Sequence, residues 1–484
     1  MGYVPHRRSR IIPTTPGVDI ERVLQRLRTP SNLPVESRED LASEVQVIAE
    51  KKPRTRGSIS YLKAPSRVAV GSPLTTSPAD ILRELGVATT FVSRSRLLPV
   101  AQLWAHVRYC ATMRARGGML ALTPDAAQSV VHHHKVAQSE QLGIGLALVV
   151  ARAVLRQLHP RLDYHVVDAD VALRAGYIKG MPGEVRNRPA TKKRPDYFLV
   201  GYERGAPGVA VHVTVLECKG THLRMREVKK QLADATLQVR TVVVGTEPLY
   251  GLMVASRLKE TGIQSYVFDP PGDDELWSGD VEDLQALLSQ MPEEKQWMPG
   301  RWLDPPVPSP GDGSTASDET PTDSGGQPML GTPPPYQIPA AERRWFTQVL
   351  SSTTAAAMLA YAGNNASASG YATARQLGLQ QEPLDDFDSW PMSTNDRIRF
   401  AQGGPTLLGH TQRMQMGDGR TLAVFRGLES HLYRQLADGN LNRYLRNAGW
   451  LHRWWTKQRR RRPPGDAFSV GEDGSALVIR IEND

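Results

Sequence analysis

Cysteine is almost absent from this chain: Cys110 and Cys218 are the only two in 484 residues. Two thiols provide no disulfide framework and no zinc site built from cysteines. Reduced cytoplasm is the compartment that fits such usage. Long apolar runs are missing too. The longest, residues 142–151, covers roughly half a membrane span and is ended by Arg152. His6, Arg7, Arg8 and Arg10 are not followed by an apolar stretch, so no secretory leader is expected. No internal repeat is found. Acidic residues are outnumbered, 50 against 59 lysines and arginines, for a net charge of +9. That balance favours a polyanionic partner. Nucleic acid is favoured over a membrane, because no basic amphipathic helix stands out as an anchor.

What is present is organised around residues 194–219. Arg194-Pro195-Asp196 leads into the apolar run Tyr197-Phe198-Leu199-Val200. Gly205, Pro207 and Gly208 follow, then a second run from Val211 to Leu216 and on to Glu217-Cys218-Lys219. Apolar runs bounded by turn residues predict paired strands. Side chains alternate along a strand, so Glu217 and Lys219 share a face and Cys218 points away. Antiparallel pairing would bring Asp196 close to Glu217. Two adjacent carboxylates repel unless a cation lies between them. Such an oxygen-rich pair suits Mg²⁺, with Mn²⁺ as a substitute. A lysine beside the cation can orient a water or stabilise transition-state charge. The plainer alternative is a hairpin with an ion pair on its rim.

Pro195-Asp196, twenty residues, then Glu217-Cys218-Lys219 resembles the signature of the PD-(D/E)XK nuclease superfamily. The resemblance implies an α/β restriction-endonuclease-like core, a mixed sheet flanked by helices. It implies metal-dependent phosphodiester hydrolysis, with DNA favoured over RNA. Asp196, Glu217 and Lys219 would be its catalytic residues. In that superfamily a helix before the sheet often carries a glutamate that reaches the metal. Glu140 stands in that place, as a fourth catalytic and metal-binding residue; its plain reading is a helix-start glutamate favoured by the macrodipole. The helix after Lys219 would flank the site, with Gln231 as a polar contact. Ala235 occupies the tyrosine position of the RecB-like Gln-x-x-x-Tyr pattern, so that branch is not assigned. Defence against foreign DNA, or DNA processing, is the role the superfamily suggests. Many of its members dimerise to cut both strands, so a homodimer or a partner protein is in view. The alternative is a catalytically inactive subunit that binds nucleic acid or acts as a scaffold.

The rest of the chain divides around that core. Residues 1–134 read as a basic arm and a helical region, with helices expected over 20–27, 38–51, 77–85 and 100–114. The arm is either a phosphate-touching segment or a solvated leader. His132-His133-His134 are successive residues on a helix, so they point in three directions and do not share one metal. Residues 135–300 are expected to be the nuclease-like domain. It would comprise a buried helix around 144–150, strands over 164–173, 196–200 and 211–219, a helix over 222–239, a strand over 241–245, a helix over 249–259 and a strand over 265–269. Helix, three strands, helix, strand is the order expected of such a core. Arg186, Arg188, Lys192, Lys193 and Arg194 form a basic loop before Asp196; with Arg224 and Lys230 they are candidate phosphate contacts. Residues 301–339, poor in apolar side chains, are expected to be a disordered linker. Residues 340–484 are expected to form an accessory α+β domain, mainly helical. There Trp450, Trp454 and Trp455 precede Lys457, Arg459 and Arg460. The tract either stacks on bases and neutralises phosphates or packs its tryptophans inward.

Overall fold

The computed structural model describes residues 20–51, 64–92, 105–176, 178, 183–187, 193–205, 211–245, 247–270, 277–279, 336–377, 396–399, 404–416, 419–457 and 465–483. The first part of the chain is not helical alone. It contains α1 (Ile20–Arg28), β1 (Ser31–Leu33), β2 (Val35–Glu36), α2 (Glu39–Glu50), β3 (Ser66–Arg67), β4 (Leu74–Thr76) and α3 (Pro78–Ala88). A short helix, α4, covers 105–109, then come β5 (Met113–Arg116) and β6 (Met119–Leu122). Four of these strands form a sheet in the order β4-β1-β6-β5. The helix expected over 100–114 is present at 105–109, with 100–104 outside the described residues, and its last residues instead open a hairpin whose turn takes its left-handed backbone from Gly117 and Gly118. α3 starts as its sequence requires. Ser77 accepts from the Asp80 amide, the Asp80 carboxylate accepts from the Ser77 amide, and Pro78 occupies the first turn.

The central sheet is mixed. Its strands are β7 (Leu162–Asp168), β9 (Tyr197–Glu203), β10 (Val211–Thr221), β13 (Tyr250–Arg257) and β14 (Gln264–Asp269), with β2 at one edge. The spatial order is β2-β14-β13-β10-β9-β7. β7, β9 and β10 pair antiparallel; β13 then runs parallel to β10. Helix α5 (His132–Leu158) packs on one face of this sheet and α7 (Met225–Gln238) on the other. Thr236 of α7 reaches the Met253 sulfur, and Met253 is the rung partner of Glu217. A Cβ on Gly220, which points the other way, would lie 1.9 Å from the Ser139 carbonyl of α5. Helix α5 is long and apolar enough to cross a membrane, but 61% of its most apolar window is buried inside the fold. His132, His133 and His134 are exposed on its first turn.

Three expected elements around this sheet are corrected. The helix expected over 249–259 is strand β13. An apolar run of that length has no period that separates a buried helix from a strand lying between two neighbours. The strand expected over 164–173 stops at Asp168, whose carboxylate accepts from the amides of Asp170 and Val171 and caps α6 (Ala169–Leu173). The strand expected over 241–245 forms as β11 (Val242–Val244) but leaves the central sheet. It joins β8 (Arg186–Asn187), β12 (Glu247–Pro248) and β16 (Tyr336–Ile338) in the order β12-β11-β16-β8.

β16 also shortens the expected linker of 301–339. Tyr336 and Ile338 are buried, so the chain is held in a sheet before 339; residues 301–335 lie outside the described residues.

The region 340–484 is not mainly helical. Its centre is an antiparallel sheet of β17 (Asp396–Arg399), β18 (Thr406–Gln415), β19 (Arg420–Glu429), β20 (Ala467–Val470) and β21 (Ser475–Asn483), in the order β17-β18-β19-β21-β20. Polar outward residues in β18, such as His410, Gln412 and Arg413, mask its strand character in the sequence. Helix α8 (Arg343–Tyr361) and shorter helices pack around it. One continuous apolar core runs from Val23 through the central sheet and α8 to Ile479.

Candidate active site

Strand register builds the site. Tyr197 lies opposite Leu216, so Asp196, one residue earlier, faces Glu217. Backbone amides lock the two acids. The Asp196 N–H donates to Glu217 Oε2 at 3.1 Å, and the Cys218 N–H donates to Asp196 Oδ2 at 2.8 Å. Lys219 Nζ donates to Glu217 Oε1. β9 begins at Tyr197, so β10 from Glu217 to Thr221 runs past it, paired only with β13 among the described residues.

Their electrostatics are unbalanced. Glu217 is fully buried; Asp196 and Lys219 are half-buried. Burial and then the Asp196 carboxylate push Glu217 up to about 8, while Lys219 acts in the opposite direction. Burial also raises Asp196. For Lys219 burial works against the charge, yet Glu217 and Asp196 outweigh it and raise the ammonium. Cys218 faces away, and burial lifts its thiol far above the usual range, so it is no nucleophile. The result is an acidic pair that one lysine does not fully compensate. A hard cation is the group that would restore both negative charges. Among the described residues no three or more His, Cys, Asp or Glu converge to hold a metal. The donor set is the two carboxylates, which suits a cation that keeps several waters.

Glu140 does not join them. It is exposed, and its recorded electrostatic neighbour is Tyr109. Even so, it stands on the turn of α5 whose Ser139 and Gly143 touch Gly220, beside the end of β10. The absence of side chains at Gly143 and Gly220 lets helix and strand backbones meet there.

The candidate phosphate contacts fall into three groups. Arg188, Lys192, Arg459 and Arg460 lie outside the described residues. Lys193 and Arg224 are exposed near the site, and Lys230 is exposed with an ion pair to Glu227 at 3.6 Å. Arg194 is held 3.2 Å from Asp170, which also takes Arg174 at 3.0 Å and Arg375 at 3.2 Å. Three guanidinium groups thus share one carboxylate beside Asp196. Gln231 donates to the Gly220 carbonyl at 3.4 Å from α7. In the C-terminal tract Trp455 packs inward against Phe468, their ring centroids 4.2 Å apart, while Trp450 stays exposed.

Sequence reasoning missed a second group of cations. Lys135, Arg257 and Lys259 gather with Arg224 at the far end of β10. Their only signal is positive charge at widely separated positions, and the helix expected over 249–259 scattered Arg257 and Lys259 away from it. Comparison with family models, curated proteins and solved structures returns no match to this chain.

Proposed function

We propose that this protein is a metal-dependent nuclease that hydrolyses phosphodiester bonds, on DNA in preference to RNA. The observation that carries the reading is the cluster of Asp196, Glu217 and Lys219 at the meeting point of two paired strands. Glu217 is buried there and driven toward neutrality beside a second acid. Perturbed acids in an accessible, geometrically ordered group mark functional sites. The element order adds support: α5, three antiparallel strands, α7, then β13 parallel to β10. It follows the expected helix, three strands, helix, strand with β13, rather than the segment 241–245, as the strand that joins the sheet after α7.

Asp196 and Glu217 would hold Mg²⁺ or Mn²⁺. The chemistry such an ion supplies when bound is polarisation of a phosphoryl oxygen and activation of a water. The Cys218 amide fixes the Asp196 carboxylate, and the Asp196 amide fixes Glu217, so both acids are oriented before any ligand arrives. Lys219, kept charged by its two acidic neighbours, orients the attacking water or stabilises charge at the phosphorus. A cytoplasmic setting, a role in defence or DNA processing, and action as a homodimer or with a partner protein belong to the same proposal. One observation favours the second reading, an inactive nucleic-acid-binding or scaffolding subunit: Glu217 is already engaged by Lys219, and among the described residues no third acid converges on the pair.

The test is incubation of pure protein with plasmid, linear and single-stranded DNA and with RNA, in Mg²⁺, Mn²⁺ or EDTA. Cleavage is expected with either metal and not in EDTA. Asp196→Asn should abolish it, and Lys219→Ala should slow it by about a hundredfold or more, as losing a transition-state contact does. Full activity in both variants would overturn the assignment. An inert wild type on every substrate would favour the scaffold.

A further inference from the structure

Beyond Lys219, β10 continues through Gly220 to Thr221, and Thr221 lies beside Arg257 of β13. From Glu217 to Thr221 four strand residues span about 13 Å. At that distance from the acids the chain gathers cations from three separate elements. Lys135 comes from the first turns of α5, Arg224 from the start of α7, and Arg257 and Lys259 from the end of β13. Lys259 Nζ donates to the carbonyl of His222, and the Leu258 amide donates to the Thr221 carbonyl at 2.9 Å, which ties the end of β13 to the segment between β10 and α7. The His222 ring lies against the backbone of Lys135 and Leu258.

The charges acting on Lys259 are Arg257, Arg224 and Lys135, and all are positive. Elsewhere this protein answers its surface arginines with acids: Arg114 with Glu260, Arg38 with Glu36 and Asp40, Arg413 and Arg480 with Glu482. Gathering like charges opposes folding. An anion bound among them would reverse that cost.

We propose that Lys135, Arg224, Arg257 and Lys259 form an anchoring subsite for a backbone phosphate of the substrate strand, farther along the strand than the phosphate at Asp196 and Glu217. The inference rests on the nuclease reading for the identity of its ligand. It adds a direction to it: the strand lies along the open edge of β10, from the acids toward the N-terminal turns of α5 and α7. The contact is to the backbone, so it serves DNA and RNA alike and carries no base specificity.

Binding without turnover tests this. Labelled DNA and RNA oligonucleotides are titrated in EDTA across a salt series, with wild type, Lys135→Gln/Lys259→Gln, Arg224→Gln, and Arg413→Gln as a distant control. Each lost phosphate contact should lower the salt slope by about one, so the double variant should lose up to about two. The control should match wild type. Arg257 ends β13 within the central sheet, so its substitution can disturb folding. Arg257→Lys, which keeps the charge, should retain more binding than Arg257→Gln at equal thermal stability. In Mg²⁺ the double variant should raise KM with kcat little changed, as loss of uniform binding does. If wild type binds with a salt slope and the double variant shows the same slope, the subsite is refuted while the nuclease reading stands. If wild type neither binds nor cleaves any nucleic acid, the functional reading fails and takes the subsite with it.

Discussion

One buried group of charge lies between α3, α5 and the C-terminal sheet, and another lies at the ends of β9 and β10. In the first, Arg83, Arg152 and Arg156 meet Glu84, Glu472 and Asp473. Arg152 alone reaches Glu84 at 3.0 Å and Asp473 at 2.8 Å. Arg83 also donates to the hydroxyls of Ser469 and Ser475, at 3.1 and 3.0 Å. In the second, two acids have one lysine. Burial pushes Glu472 and Asp473 of the first group and Asp196 and Glu217 of the second upward. In the first the arginines win, so Asp473 and Glu472 end below their ordinary range. In the second burial wins, and Glu217 rises to about 8. Burial therefore does not distinguish a structural charge from a functional one. The number of opposite charges and donors within reach does.

The sharpest way to break the first group is to remove its hub. Arg152→Met leaves Glu84 and Asp473 buried without their main cation. Unpairing a buried charge costs about 3–5 kcal/mol. Urea unfolding should report a loss of that size. Because the network joins α5 to the turn before β21, the C-terminal sheet should become more susceptible to protease. A loss below about 1 kcal/mol, the ordinary value of an exposed pair, would show that solvent reaches the network.

The two groups should also differ in the sign of their pH dependence. Glu217 titrates near 4.5 when unfolded and about 8 when folded. Between those values the folded chain keeps a proton that the unfolded chain has released. The stability this contributes is fully present below 4.5 and is lost as pH rises through about 8. Asp473 behaves oppositely: its folded value lies below the ordinary 3.8, so its contribution is present above 3.8 and lost as pH falls further. Unfolding free energies of wild type and Glu217→Gln, measured across this range, should converge at low pH. They should diverge toward high pH, with the variant the more stable. Mg²⁺ should close the gap at high pH by stabilising the doubly charged pair. Parallel pH curves for the two proteins would mean that Glu217 is ionised like any exposed acid.

This contrast also explains what could be read from the residues alone. The acid pair was legible because its parts are local: Asp196 precedes one strand, Glu217 and Lys219 end the next, and strand alternation with antiparallel pairing does the rest. The arginine network was not, since Arg152 and Asp473 are 321 residues apart in sequence. The same holds for Lys135 and Lys259, which meet only through the packing of α5 against the end of β13. Fold class followed from the alternation of apolar segments, but element identity failed where an apolar run was buried on both sides. β13 was taken for a helix for that reason. In the C-terminal region the expectation failed differently: polar residues on the outer face of β18 hid a strand within a helix-rich stretch.

The smallest expected effect lies between the two groups, at Asp170. Arg174, Arg194 and Arg375 share its carboxylate, and their side chains are 41%, 35% and 46% exposed. Exposed pairs of this kind contribute little, about 0–1 kcal/mol each, so Arg194→Gln with Arg375→Gln should barely move the unfolding midpoint. Their excess charge beside Asp196 still predicts a change in binding. One carboxylate offsets one of three guanidinium groups, which leaves net positive charge near Asp196. Removing two of them should lower the salt slope of oligonucleotide binding in EDTA by up to about two. Asp170→Asn should do the reverse, strengthening binding modestly by releasing the arginines from their internal partner. If neither substitution changes the slope, Asp170 belongs with the Arg152 network as a purely structural tie, linking α6 to the helix Ala374–Leu377 of the C-terminal region.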